Sequence, residues 1–227
     1  MFYRDPEFGS RMITLMAAAA LVTQFLMVGQ RILITNIRLF AVQSFLLSGI
    51  AITIAWFQNA QHIYLAAALT FVLKVMLVPW FLKRIADRMR TQPEVQPLIN
   101  APVSLLLCGG LTLMAYLVAQ PLTLDLKREA GFELGHNTLA VAISLLLLGF
   151  YLMVSRRKAL SQVLALLTME NGVFLAAISL TYGVPFVVEI GIFFDVLVAV
   201  MVLGILVYRI GETFESMDVS KLRDLKG

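Results

Sequence analysis

Four ionisable residues stand inside stretches of this sequence that are otherwise apolar: Lys74, Glu170, Glu189 and Asp195. Glu170 falls in the run from Leu160 to Tyr182. Glu189 and Asp195 fall in the next run, Pro185 to Tyr208, joined to the first by Tyr182-Gly183-Val184-Pro185. Each run is long enough to cross a bilayer, which takes about 20 helical residues. A charged side chain at the centre of such a span costs on the order of 2.5–3.5 kcal/mol on insertion scales. Burial disfavours the charged form and a counter-charge restores it, so groups of this kind are poised to take up and release protons. The pattern predicts proton or ion handling. The structural alternative is a buried salt bridge that only pins helix packing, but three acids against one base leave charge such a pair does not require.

Depth along a helix supports this reading. At about 1.5 Å of rise per residue, Glu170 lies about 15 Å from one end of its span and Asp195 about 15 Å from the opposite end of the next. Both fall near the midplane of a hydrocarbon core roughly 30 Å thick. Lys74, in the run Ile63–Leu82, lies about 16 Å from its outer end, and its expected partner is Glu170 or Asp195. Glu189 lies only about 6 Å below the surface, as an entry or exit group or as an interfacial residue. Pro79, five residues beyond Lys74, removes a backbone donor and is expected to kink the helix. Asn171, Gly172, Ser179 and Gly191 either open the interface between the last two spans to water or, as small residues in membrane helices more often do, let helices pack closely; Gln43, Ser44 and Ser48 read as packing residues.

The elements that carry these groups follow from composition. The 227 residues are 60% hydrophobic and 14% charged, and the mean hydropathy is +0.87. Soluble domains average nearer 45–50% apolar and 25% charged. The expected fold class is all-α, a polytopic membrane helix bundle, because helices satisfy every backbone group within the segment and no run alternates as a membrane β-strand does. Seven transmembrane helices are predicted, at about Met12–Gln30, Leu39–Phe57, Ile63–Leu82, Val103–Ala119, Leu139–Val154, Leu160–Tyr182 and Pro185–Tyr208. The first run is too long for a signal-peptide core and is followed by six more, so it reads as a span. Thr138 or Asn137 caps the fifth. The segment 83–101 reads as a surface helix followed by an extended turn, and 121–138 as a sizeable external loop.

Thirteen of the 18 Lys and Arg residues fall in the 1–2, 3–4 and 5–6 connections and the C-terminal tail, against four in the remaining segments, with Lys74 inside a span. The positive-inside rule then places the N-terminus out and the C-terminus in. The formal net charge of +4 is an orientation signal, and no nucleic-acid partner is expected. The chain reads as a single transmembrane domain with a four-helix part at 1–138, a three-helix part at 139–209 and a cytoplasmic tail at 210–227.

No cofactor is expected in this chain. Cys108 is the only cysteine, which rules out an internal disulfide and a four-thiolate cluster site. His62 and His136 sit at the ends of predicted spans, which argues against a bis-histidine haem. Lys74, on the third span with few aromatics nearby, argues against a retinal Schiff base.

Several motifs carry a family resemblance. They are Phe71-Val72-Leu73-Lys74-Val75-Met76-Leu77-Val78-Pro79, Met169-Glu170-Asn171-Gly172, Val188-Glu189-Ile190-Gly191-Ile192-Phe193-Phe194-Asp195, Met217-Asp218-Val219 and the ending Leu225-Lys226-Gly227. Together they resemble the hydrogenase-4 component E family. The last three spans also resemble the small complex I subunit NuoK and the matching subunit of Mrp-type antiporters, which carries one Glu in each of two consecutive helices. Glu170 matches the first position; Asp195 stands at the second, with Asp in place of Glu. The resemblance implies a non-catalytic membrane-arm subunit of a formate hydrogenlyase-type, complex I-like hydrogenase in the bacterial or archaeal inner membrane. Its implied partners are antiporter-like subunits, a NuoH-like anchor, and peripheral hydrogenase and iron–sulfur subunits that hold the nickel–iron and iron–sulfur centres. The alternatives are a subunit of an Mrp-like Na⁺/H⁺ antiporter without redox chemistry and a passive membrane scaffold.

Overall fold

The computed structural model describes residues 6–58, 61–88, 99–130, 138–180 and Gly204. Apart from Gly204, the predicted seventh span, with Glu189, Gly191 and Asp195, lies outside the described residues, as does the tail. Within them the secondary structure is helical, with no strand. The helices are α1 (Pro6–Gly29), α2 (Leu33–Gln58), α3 (Gln61–Thr70), α4 (Val78–Arg88), α5 (Ala101–Ala130), α6 (Thr138–Ser155) and α7 (Ala159–Leu180). A π-helical segment, Phe71–Leu77, joins α3 to α4 in one continuous rod. Six rods are therefore long and apolar enough to cross a membrane.

Four boundaries differ from the sequence reading, the second helix starting at Leu33, six residues before the expected Leu39. The first helix starts at Pro6, where proline's missing N–H costs nothing at the first helical position. The Arg11 guanidinium also reaches back one turn to Glu7, at 3.3 Å. Residues 83–88 form no separate surface helix; they continue the rod through α4. The helix before the expected 121–138 loop runs on to Ala130 with Pro121 inside it, absorbing the proline without ending. Polarity alone misplaces such ends, because a helix that leaves the apolar layer keeps its internal hydrogen bonds in water.

Among the described residues two large apolar cores are stacked along the bundle, beside a small cluster of Ala119, Leu139 and Ala140. One gathers Met27 and Val28 of α1, Leu33, Ile37 and Phe40 of α2, Val78, Leu82 and Ile85 of α4, Leu148 and Leu152 of α6, and Leu160, Leu164 and Leu167 of α7. It occupies the end where the basic α1–α2 and α6–α7 connections lie. The other holds Ile13 and Ala17, Leu47 to Ala55, Ile63 to Ala67, Ala142 and Leu145, and Phe174 to Ile178. The outward faces carry large apolar residues such as Leu15, Phe45, Trp56, Leu65, Leu106 and Val154, the distribution a lipid-facing bundle requires.

Two contacts set the closest approaches. A Cβ built on Gly149 would fall 2.7 Å from the Met169 backbone nitrogen, and one on Gly172 would fall 2.6 Å from that of Leu146. Only glycine lets α6 and α7 meet backbone to backbone at both places. At the basic end the buried Arg156 side chain, just past α6, donates from Nη2 to the carbonyls of Met27, Val28 and Gln30 at 3.2, 3.0 and 3.0 Å. These belong to the last turn of α1 and its exit, where carbonyls lack intrahelical partners and a cation suits the helix dipole. Burial lowers the Arg156 pKa from its ordinary value; Tyr151 pushes it back up and neighbouring Arg31 adds to the lowering.

Candidate functional site

Between the two apolar cores lies a polar layer. Four of the six rods contribute to it, each near the point where it passes from one core to the other. α1 supplies Gln24, α2 supplies Gln43 and Ser44, the α3–π rod supplies Thr70 and Lys74, and α7 supplies Thr168, Glu170 and Asn171. All eight are buried. Buried polar atoms cost free energy unless hydrogen-bonded, and most of this layer is hydrogen-bonded internally.

The bonds run in one direction. Asn171 donates from Nδ2 to Gln43 Oε1 at 3.0 Å and to Ser44 Oγ at 3.1 Å. Gln43 donates to Gln24 Oε1 at 2.8 Å and to the Ala20 carbonyl at 3.2 Å. Gln24 donates to Thr168 Oγ1 at 3.5 Å, and Thr168 closes the chain on the Ala165 carbonyl at 2.8 Å. Three helices are thereby locked in register. Ser48 extends the link to the third rod by donating to the Ala67 carbonyl at 3.0 Å.

Lys74 and Glu170 stand beside this chain. Lys74 Nζ lies 3.6 Å from Glu170 Oε2, with side chains 4% and 3% exposed. At that separation the contact is an ion pair, longer than a hydrogen bond. The ammonium also sits 5.5 Å from the centroid of the Phe174 ring, one turn beyond Glu170 on α7. Of the two partners expected for Lys74, Glu170 is the one found; Asp195 and Glu189 lie outside the described residues. Among the described residues, no cluster of three or more His, Cys, Asp and Glu side chains has the makings of a metal site.

The local backbone at Lys74 has a physical cause. The Val78 N–H bonds to the Leu73 carbonyl, five residues back. The Pro79 ring would press on the carbonyl four residues before it and has no N–H to offer. Widening the preceding turn relieves both problems, so the expected disturbance takes the form of a π-turn. Such turns change the facing of the residues they contain and recur at functional sites. Here Lys74 stands at the middle of the turn and is its buried residue.

Sequence reasoning missed most of the layer. Gln43, Ser44 and Ser48 read as packing residues, Asn171 as a residue that opens the helix interface to water or lets helices pack, and Gln24 and Thr168 carry no signal of their own. Their common depth was the available signal. Gly172 does serve close packing, as expected, while the Ser179 hydroxyl bonds back to the Leu175 carbonyl at 2.7 Å.

Residues 137–227 match the family NADH-ubiquinone/plastoquinone oxidoreductase chain 4L. Over 218 residues the chain is 32% identical to the uncharacterized protein Rv0085 of Mycobacterium tuberculosis, covering 96% of this chain and 97% of that one. It is 30% identical over 219 residues to hydrogenase-4 component E of Escherichia coli K12, covering 96% and 99%, and matches that of Shigella flexneri equally well. No solved structure matches. The helices and the chain 4L-like region define a multi-pass membrane protein related to subunits of complex I. Within that class, the chain belongs to the hydrogenase-4 component E family.

Proposed function

We propose that this chain is an integral membrane subunit of a complex I-related hydrogenase of the formate hydrogenlyase type, and that Lys74 and Glu170 form part of its proton path. The supporting observation is the Lys74–Glu170 pair itself, buried on a π-turn within a polar layer at mid-depth. A buried ion pair is a poor stabilising device, since desolvation opposes its Coulombic gain. It suits a role in which Glu170 alternates between carboxylate and acid while Lys74 moves toward or away from it. Asp195 and Glu189 would continue the path on the following span. The basic connections face the cytoplasm on this reading, with the N-terminus outside. The bacterial or archaeal inner membrane is the location. The chain itself is non-catalytic; nickel–iron and iron–sulfur centres belong to peripheral partners, beside antiporter-like and NuoH-like membrane subunits.

The test is Glu170→Gln in the assembled complex, read as proton movement in inverted membrane vesicles together with nickel and iron content. The expected result is full assembly with metals present and proton movement lost. Normal proton movement in this variant would return the pair to a structural role. Sodium-dependent proton flux from a complex lacking nickel and iron would instead place the chain in an antiporter.

A further inference from the structure

The Lys74 ammonium has two neighbours on α7, one turn apart on the same face. Glu170 Oε2 lies 3.6 Å from Nζ, and the centroid of the Phe174 ring lies 5.5 Å from it, with Nζ over the ring. Positions i and i+4 of a helix stand one above the other, so a lysine that faces α7 reaches both. Phe174 is 4% exposed and belongs to the apolar core that includes Leu145, Leu175 and Ile178.

The two attractions differ in what they depend on. The 3.6 Å separation from Glu170 is longer than a hydrogen bond, so charge is what holds the ammonium to the carboxylate. That hold lasts only while Glu170 is ionised. The negative face of the ring attracts a cation within about 6 Å whatever the protonation of its neighbours, and most strongly where water is excluded. Water is excluded here, since the Lys74 side chain is 4% exposed. Packing alone asks only for an apolar side chain at position 174; an ammonium over the ring gives the aromatic face a use of its own.

We propose that Phe174 is the second seat of the Lys74 ammonium: when a proton neutralises Glu170, the ammonium shifts onto the ring and keeps its charge. Phe174 is thereby a positioning residue for proton movement, a role that rests on the reading given above. In the step, the arriving proton forms an O–H bond on Glu170 and cancels the carboxylate charge. The three N–H bonds of Lys74 are untouched. Without the ring, the buried ammonium would keep its desolvation cost at that moment and lose the compensation Glu170 gave it.

The experiment uses the assembled complex in lipid vesicles, with Phe174 replaced by phenylalanines carrying one, two and three ring fluorines. Fluorine draws electron density from the ring face and leaves its size nearly unchanged, so packing is kept while the cation–π attraction fades in steps. Proton movement is expected to fall with each fluorine, to about one-tenth with three, and Phe174→Leu to fall at least as far. A cryo-EM map of Glu170→Gln, in which the side chain is neutral, is expected to show Lys74 Nζ closer to the Phe174 centroid than in the unsubstituted complex. Rates independent of fluorine count would reduce the ring to packing and overturn the positioning role. Nζ turned away from the ring in the Glu170→Gln map would overturn the seat itself. Failure of the underlying reading looks different: Glu170→Gln would move protons normally, and its map would still decide where the ammonium sits.

Discussion

Lys74 and Glu170 sit on antiparallel helices and meet 3.6 Å apart, at the level where the bundle changes from one apolar core to the other. Neither residue is accommodated alone. A buried charge deprived of its partner keeps its desolvation cost and loses the compensation, typically about 3–5 kcal/mol. Lys74→Met is therefore expected to lower the thermal stability of the purified complex sharply. The double variant Lys74→Met/Glu170→Gln should recover most of that loss while remaining unable to move protons. Fluorescence-detected size-exclusion melting measures the first quantity and vesicle acidification the second. Equal stability of single and double variants would show that the pair is not coupled.

The π-turn before Pro79 gives a separate prediction. Pro79→Ala restores a donor and removes the ring, allowing the rod to tighten toward ordinary helical hydrogen bonding. Closing the π-turn would turn Lys74 away from Glu170. Proton movement should fall at least severalfold with little loss of stability, since alanine favours helix by about 3 kcal/mol over proline. A structure of the variant with Val78 still bonded to Leu73 would refute this account of the turn.

At the α6–α7 contact, any side chain at Gly149 or Gly172 meets backbone rather than a movable side-chain tip. Gly172→Ala should cost about 1–3 kcal/mol through overpacking, visible as a lower melting temperature and reduced yield. Gly109→Ala on α5 is the control: no atom beyond its own stretch of helix lies within 4 Å of the added Cβ among the described residues, and alanine favours the helix.

Arg156 ties the exit of α1 to the α6–α7 connection through three carbonyls. Removing it in Arg156→Ala leaves those carbonyls without their charged donor. The expected destabilisation is about 3 kcal/mol, with Arg156→Lys intermediate because a shorter point charge replaces the guanidinium fork. Hydrogen exchange of the last turn of α1 should accelerate in both variants, more in the alanine one.

Much of the architecture was legible beforehand. Six of the predicted spans appear as membrane-length rods, because a run of about 20 apolar residues leaves the backbone no other way to satisfy its hydrogen bonds in lipid. Lys74 and Glu170 stood out because charge at that depth is expensive, and equal depth made them candidate partners. Helix ends were less legible: Pro6 to Arg11, Lys83 to Arg88 and Pro121 to Ala130 are polar or contain proline and are still helical.

The amide chain was not legible at all. Gln24, Gln43, Asn171 and Thr168 belong to three helices and are bonded across up to 144 positions of sequence, and each alone reads as a tolerable polar residue in a span. The residue types of this chain determined that it lies in a membrane as helices, and at what depth each charge would be found, because transfer energies depend on composition and rise per residue. Only the tertiary structure decided which faces meet. Glycines at 149 and 172 let α6 meet α7, Lys74 lies buried on the π-turn before Pro79, and helix packing brings four helices to one level, where isolated polar groups become a connected layer.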